Sequence, residues 1–380
     1  MRPVMQERNY GDPNRPGFAD CTGCNICVLP CPVWRQTHDR SLTLAGRAKA
    51  LQRGIPVEAL AASLEACVLC GACEPVCPVN IDTVGMTIDL RARLAADGNS
   101  ALAKAAAKMP AFEMIAMGIG SHSAVETRHV ASKTLAPRGS EEETDRWRLA
   151  APASSVASLQ RGNAPPMRTW FLPGRALRAE SAPLKIIGEL FRVRKIAQIT
   201  VDDGADLAVA LEAGLPIDPA RKAKFLASLK GARELIVGDG LLHRYLREWL
   251  PSAKIIGIGE ALLRLASARS ALKAGDLYVI ETRGYHADFA RLVRLYDGLR
   301  QEIGCAMNLD LQRAAIPTGA GSLQNLLGLK NLDLAKQSRW VIEGRKIERI
   351  VIEDAADLAI FKQISPLPVL HLAELAGAAG

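Results

Sequence analysis

The chain has 380 residues, 49% of them hydrophobic, with a formal net charge of +8. That length and apolar share suffice for two or three compact domains and exclude an intrinsically disordered chain. Only 4% of the residues are aromatic and no Lys/Arg block interleaves with them, so no nucleic-acid partner is expected, and an acidic protein or an anionic membrane surface accounts for the charge equally well.

The opening "MRPVMQERNYGDPNRPGF" lacks the apolar run of a secretory signal, and no later run is long enough to span a bilayer. The expected location is therefore the cytoplasm, with peripheral attachment to the inner face of the membrane as the other reading of the charge. Cytoplasmic thiols stay reduced, so a dense group of cysteines points to metal rather than to disulfides. Eight of the nine cysteines fall in two short stretches.

The first is "CTGCNICVLPCP", in which Cys21, Cys24, Cys27 and Cys31 follow the spacing C-x2-C-x2-C-x3-C-P. Two short helices are then expected in "TLAGRAKALQRG" and "VEALAASLEAC". "CVLCGACEPVCP" repeats the spacing with Cys67, Cys70, Cys73 and Cys77, again followed by proline. This is the bacterial ferredoxin pattern written twice. Three cysteines at two-residue gaps wrap the backbone around one face of a 4Fe-4S cube, and a distant thiolate closes the fourth corner. In two-cluster ferredoxins the fourth cysteine of each run closes the other run's cluster. The expected ligands are thus Cys21, Cys24, Cys27 and Cys77 for one cluster, and Cys67, Cys70, Cys73 and Cys31 for the second. Structural zinc, which favours two separated C-x2-C pairs, and a redox-silent staple are the weaker alternatives.

Helical spacing of Val84 and Ile88, and of Met86, Leu90 and Leu94, predicts a helix leaving the second motif, with Gly98 and Ser100 marking a stop and a new start. Residues 1–110 are read as one helical, ferredoxin-like module with two 4Fe-4S clusters, and 111–166 as a helix and linker rich in Pro, Ser and charge. Beyond it "ARELIVGDG", "LLHRYLREWL" and "AKIIGIGEALLRLA" find counterparts in "IERIVIEDA", "ADLAIFKQI" and "PLPVLHLAELA". "TWFLPG" and "DLYVIE" open the two copies as apolar strands, the latter followed by the amphipathic "ADFARLVRLYDGLRQEI". The fold class is mixed: a helical two-cluster module, then a duplicated α/β domain with repeats over 167–273 and 274–380.

Two such cysteine runs, a linker and a duplicated α/β half together resemble the iron-sulfur subunits of anaerobic glycerol-3-phosphate dehydrogenase, glycolate oxidase and heterodisulfide reductase. The resemblance spans nearly the whole chain. In that family the C-terminal half carries Cys-Cys-Gly repeats that bind a further cofactor. Here their positions fall on Asp202, Asp203 and Gly204 and on Pro317, Thr318 and Gly319, with Pro173, Gly174 and Arg175 at the opening and Asp239 and Asp354 near the closing positions. The resemblance therefore implies an inherited fold without its thiol chemistry.

Asp202, Asp203, Asp239, Glu353, Asp354 and Asp357 are read as solvated caps at strand ends rather than a replacement metal site. His243, His286 and His371 are read as structural, and Cys305 as buried filler. No G-x-G-x-x-G or Walker loop is present. The function expected from the resemblance is an electron-transfer subunit of a multi-subunit oxidoreductase, without catalytic residues of its own, that relays single electrons through two 4Fe-4S clusters. Its expected partners are a flavoprotein dehydrogenase or other redox subunit, and quinone, another carrier or a membrane anchor. A heterodisulfide reductase-like catalytic subunit and a cluster-based assembly or regulatory sensor are the alternatives.

Overall fold

The computed structural model describes residues 16–109, 168–310, 312–329 and 332–378. The expected helix and linker over 111–166 lie outside the described residues. The N-terminal part is helical and cysteine-rich, and its helices start where a side chain can satisfy free N–H groups. Thr43 caps Leu44–Gln52, Asp82 caps Thr83–Ala96 and Ser100 caps Ala101–Ala107. Leu44, Ala48 and Leu51 from the first of these helices meet Leu64, Met86, Leu90 and Leu94 in one core, against which Cys21, Cys27 and Cys73 pack.

The remainder is α/β with two four-stranded parallel sheets. The first contains β1 (Thr169–Leu172), β2 (Gln198–Ile199), β3 (Glu234–Val237) and β4 (Lys254–Gly257) in the order β2-β1-β3-β4. The second contains β5 (Asp276–Val279), β6 (Ala306–Met307), β7 (Arg349–Ile352) and β8 (Val369–His371) in the order β6-β5-β7-β8. The same topology thus occurs twice. Rows such as Phe171–Ile236–Ile256 and Tyr278–Val351–Leu370 cross the sheets in register. Apolar side chains from both units form one continuous core, with the helices Ser181–Val193, Ala266–Ala271 and Leu372–Ala378 packed between them. The edge strands β2 and β6 were not expected, because two residues carry no alternation to detect.

The cysteine module is not a free arm. Leu69, Val84 and Ile88 are buried with Leu211 and Leu241 of the first α/β unit. Burying five such side chains is worth roughly 7–15 kcal/mol gross, comparable to the whole net stability of a domain. The module and first unit also meet at Gly214, whose φ is 72° and where an added Cβ would lie 2.5 Å from the Arg91 backbone, so there is no room for one.

Candidate metal centre

The two cysteine loops adopt the same unusual backbone. The residue before the second cysteine of each run is left-handed, Gly23 at φ 77° and Leu69 at φ 52°, and so is the residue after it, Asn25 at φ 65° and Gly71 at φ 75°. Turning the chain back twice within seven residues folds each C-x2-C-x2-C segment around its own concave side. A left-handed non-glycine costs roughly 1–2 kcal/mol, so Leu69 and Asn25 hold their loops only because surrounding contacts over-determine them. Pro32 then fixes the first turn of the helix Pro32–Thr37 directly after Cys31.

Cys24 is exposed, and the other seven motif cysteines are half-buried. Burial, followed by the charges of Cys21, Cys77, Cys24 and Cys31, pushes the Cys27 thiol up to about 12. Cys70 is also raised to about 12, by burial first and then by Cys67 and Cys31, against a backbone N–H from Ala72. Burial and Cys70 hold Cys73 well above the usual thiol value, although Thr83 Oγ1 lies 2.9 Å from its sulfur. Burial raises Cys31 too, with Cys67 adding to the effect and Arg47 opposing it. Cys67 goes the other way: the Arg47 and Arg91 guanidiniums outweigh its burial and bring its thiol below the ordinary value. Crowded thiols of this kind repel one another as anions. Iron charge at their centre reverses that balance, because a metal-bound thiol is deprotonated outright.

The sequence spacing of these thiols, C-x2-C-x2-C-x3-C-P, is that of iron-sulfur cluster ligands. Among the described residues no three His, Cys, Asp or Glu side chains gather tightly enough for one metal ion. Tetrahedral zinc, with bonds of about 2.3 Å, needs its sulfurs within about 4 Å of one another. A cube of four irons spreads its ligands over its corners. The clearest sign of fit is Arg47, which is 2% exposed and whose Nε has no hydrogen-bond partner among the described residues. Arg47 favours the Cys67 thiolate by charge and by hydrogen-bond donation, so a buried donor is left for sulfur at this site.

Side chains from the helix Thr83–Ala96 and from the C-terminal half grip the second loop by its carbonyls. Arg91 and Gln324 donate to Cys67 O, Arg283 donates to Val68 O at 2.9 Å, and His286 Nδ1 meets Cys70 O at 2.7 Å. Gly71 allows His286 in, since a Cβ there would lie 3.0 Å from the histidine Cβ. Arg244 pairs with Glu74 and Asp82, which flank the rest of the motif. His286 is structural, as expected, but it serves the cysteine loop directly. His371 hydrogen-bonds Glu353 O and Ala373 N, whereas neither ring nitrogen of His243 has a partner among the described residues.

Of the carboxylates expected to be solvated caps, Asp239 and Asp354 do cap the following helical turns. Asp203, Glu353 and Asp357, however, are buried. Asp203 accepts from Gly174 N and Arg178, Glu353 from two tyrosine hydroxyls and Glu281 N, and Asp357 from Thr318. Asp203 is enclosed by partners of its own unit, whereas Glu353 of the second unit packs against Gly259 of the first. Asp202 lies outside that zone, paired with Arg221. Arg175, Asp239, Asp354, Pro317, Thr318 and Gly319 line one cleft at the carboxyl ends of β1, β3, β5 and β7, and Cys70 forms part of its wall. Cys305 is buried, 2% exposed, in the second unit's core.

Sequence reasoning missed Arg47, Arg91, Arg283, Gln324 and Glu212. A signal existed for the first two: Arg47 stands among Leu44, Ala48 and Leu51, and Arg91 among Ile88, Leu90 and Leu94, so each interrupts the apolar stripe of its helix. No described helix is long and apolar enough to cross a membrane. A search among curated proteins returned no match. The family model described as the 4Fe-4S dicluster domain matches residues 17–81, which contain all eight motif cysteines, and on that match the chain is an iron-sulfur protein.

Proposed function

We propose that the chain binds two 4Fe-4S clusters and serves as an electron-transfer subunit of a multi-subunit oxidoreductase. Cys21, Cys24, Cys27 and Cys77 hold an outer cluster, and Cys67, Cys70, Cys73 and Cys31 an inner one against the α/β half. The observation that carries the crossed assignment is which thiols feel one another. After burial, which is the largest cause for each, Cys27 is raised by Cys21, Cys77 and Cys24 ahead of Cys31, whereas among the thiols Cys31 responds to Cys67, and Cys70 to Cys67 and Cys31. Each fourth cysteine thus lies nearer in charge to the opposite run. When bound, a 4Fe-4S cluster supplies a one-electron redox centre whose potential depends on charge and hydrogen bonding around it.

The protein's own residues hold the loops in shape and leave Cys24 exposed at the outer one, while the other motif cysteines are half-buried. That asymmetry supports exchange with a redox partner at the outer loop. The partner is read as a flavoprotein dehydrogenase, with quinone or another carrier completing the chain, and the two α/β units as scaffold. Anaerobically purified protein is expected to contain about eight iron and eight sulfide per chain; about four of each overturns the two-cluster reading. Cys77→Ser should damage the cluster built on Cys21, Cys24 and Cys27, and Cys31→Ser the other. Damage confined to each cysteine's own run defeats the crossed assignment. Stoichiometric co-purification of a flavoprotein tests the partner.

A further inference from the structure

Among the described residues, the inner loop is set in a field of buried positive charge that the outer loop lacks. Four guanidiniums surround it. Arg283 is matched by Glu212 at 2.6 Å, and Arg244 is matched by Glu74 and Asp82. Arg47 and Arg91 are different. Arg47 donates to Ser63 O at 2.8 Å and to the Ser63 and Thr87 hydroxyls. Arg91 donates to Leu64 O, to Glu212 O at 2.6 Å and to Cys67 O. Both are at most 2% exposed, and neither has a carboxylate in ion-pair contact among the described residues. Buried charges are ordinarily paired, because an isolated one costs several kcal/mol to desolvate. Glu212, whose charge reaches Arg91, is already held by Arg283 and Arg175. Two guanidiniums without an ion pair of their own therefore favour an anion nearby, and four thiolates around an iron-sulfur cube bring one. Arg47 Nε, the donor without a partner, points to sulfur as the acceptor.

Among the described residues, the cation at the outer loop is Lys49, whose Nζ lies 3.2 Å from Cys21 O. Lys49 is half-exposed and hydrogen-bonded to Gln52 at 2.7 Å, so water and salt screen its charge. Positive charge and N–H donation to sulfur both favour the more negative, reduced state of a cluster.

We infer that Arg47 and Arg91 are positioning residues that hold the inner cluster at the higher potential of the two, so that the first electron taken up rests against the α/β half rather than at the exposed end. This rests on the two-cluster reading above. It gives the relay a direction: electrons enter at Cys24 and settle inward.

The test is a redox titration of the anaerobic full chain, followed by electron paramagnetic resonance, on wild type, Arg47→Met and Arg47→Lys. Arg47→Met is expected to lower the inner potential by at least about tenfold in the electron equilibrium, equal to 59 mV for one electron, while the outer potential moves less than threefold. Arg47→Lys keeps the charge and should recover more than half of that shift. An inner potential unchanged within twofold in Arg47→Met, or equal shifts of both clusters, overturns the inference. Should Arg47→Met fail to retain iron, Cys24→Ala decides: it removes a ligand of the outer cluster at an exposed position, and the remaining cluster should titrate near the higher wild-type potential. Titration near the lower one overturns the inference. About four iron per wild-type chain overturns the underlying reading instead, so the two failures are distinguishable.

Discussion

Glu212 joins three parts of the molecule, and a double-mutant cycle on it tests whether they act as one body. Its carboxylate, 1% exposed, comes from the helix Ala205–Ala213 of the first α/β unit. It accepts from Arg283 at 2.6 and 2.9 Å and from Leu323 N at 2.8 Å, both in the second unit. Arg283 in turn donates to Val68 O in the cysteine loop. Glu212→Leu leaves a buried guanidinium unpaired, at about 3–5 kcal/mol, and the Leu323 amide without an acceptor, at about 1–3 kcal/mol. Arg283→Met leaves Glu212 with Arg175, 3.7 Å away, as its nearest cation, again at about 3–5 kcal/mol, and orphans Val68 O at about 1–3 kcal/mol. Were the effects independent, the double variant would lose roughly 8–16 kcal/mol. The double variant leaves neither Arg283 nor Glu212 as an unpaired charge, however, and its cost reduces to two orphaned backbone groups, about 2–6 kcal/mol, beside the lost Arg175 contact that Glu212→Leu alone shares. A coupling of at least about 3 kcal/mol is therefore expected from urea unfolding of the anaerobic full chain followed by circular dichroism. Additivity within about 0.5 kcal/mol would refute the reasoning. The pH dependence provides a second check. Burial pushes the Glu212 carboxyl up, but Arg283 outweighs it and holds the carboxyl below its ordinary 4.5. The stabilisation is therefore complete above that value and lost as pH falls through the lower folded one. Glu212→Leu should flatten that acid limb.

Gly214→Ala should cost more than about 2 kcal/mol, since a Cβ there meets the Arg91 and Ala92 backbone at 2.5–2.6 Å in a left-handed conformation; a drop in melting temperature and earlier proteolysis at the module junction would record it. Burial and then Asp354 push the Asp357 carboxyl up to about 8 from 3.8, so the native state holds a proton that the unfolded chain has released, and stability falls as pH rises toward 8. Asp357→Asn should flatten that decline by as much as about 1.4 kcal/mol per pH unit between about pH 5.5 and 8, and a decline of unchanged slope contradicts the assignment. Cys305→Ala removes a buried sulfur far from both loops; iron content should stay the same while stability drops by about 1–2 kcal/mol, and any loss of iron means Cys305 serves a cluster.

The cysteine runs were legible because their chemistry is written in short spacing. Two or three residues between thiols set a loop that closes around a cluster, and glycine or asparagine at three of the four left-handed positions accommodates it locally. The helices after each motif and the longer strands were equally legible, since periodicity and caps act within one or two turns. What sequence reading could not decide was which long-range partners fill a buried site. Arg47, Arg91 and Arg283 carry the same charge as any surface arginine, and only the packing of the helices Leu44–Gln52, Thr83–Ala96 and Thr282–Ala287 around Cys67–Cys70 turns them inward. The carboxylates at the strand ends likewise read as solvated until the chain packs around them. Burial is a property of the assembled layers, and it removes water from Asp203, Glu212 and Asp357 and makes their neighbours decisive. Local spacing determined what the protein can bind, whereas tertiary structure decided the electrostatic field in which it is held, because Coulomb forces between buried groups act across distances in sequence that no local pattern records.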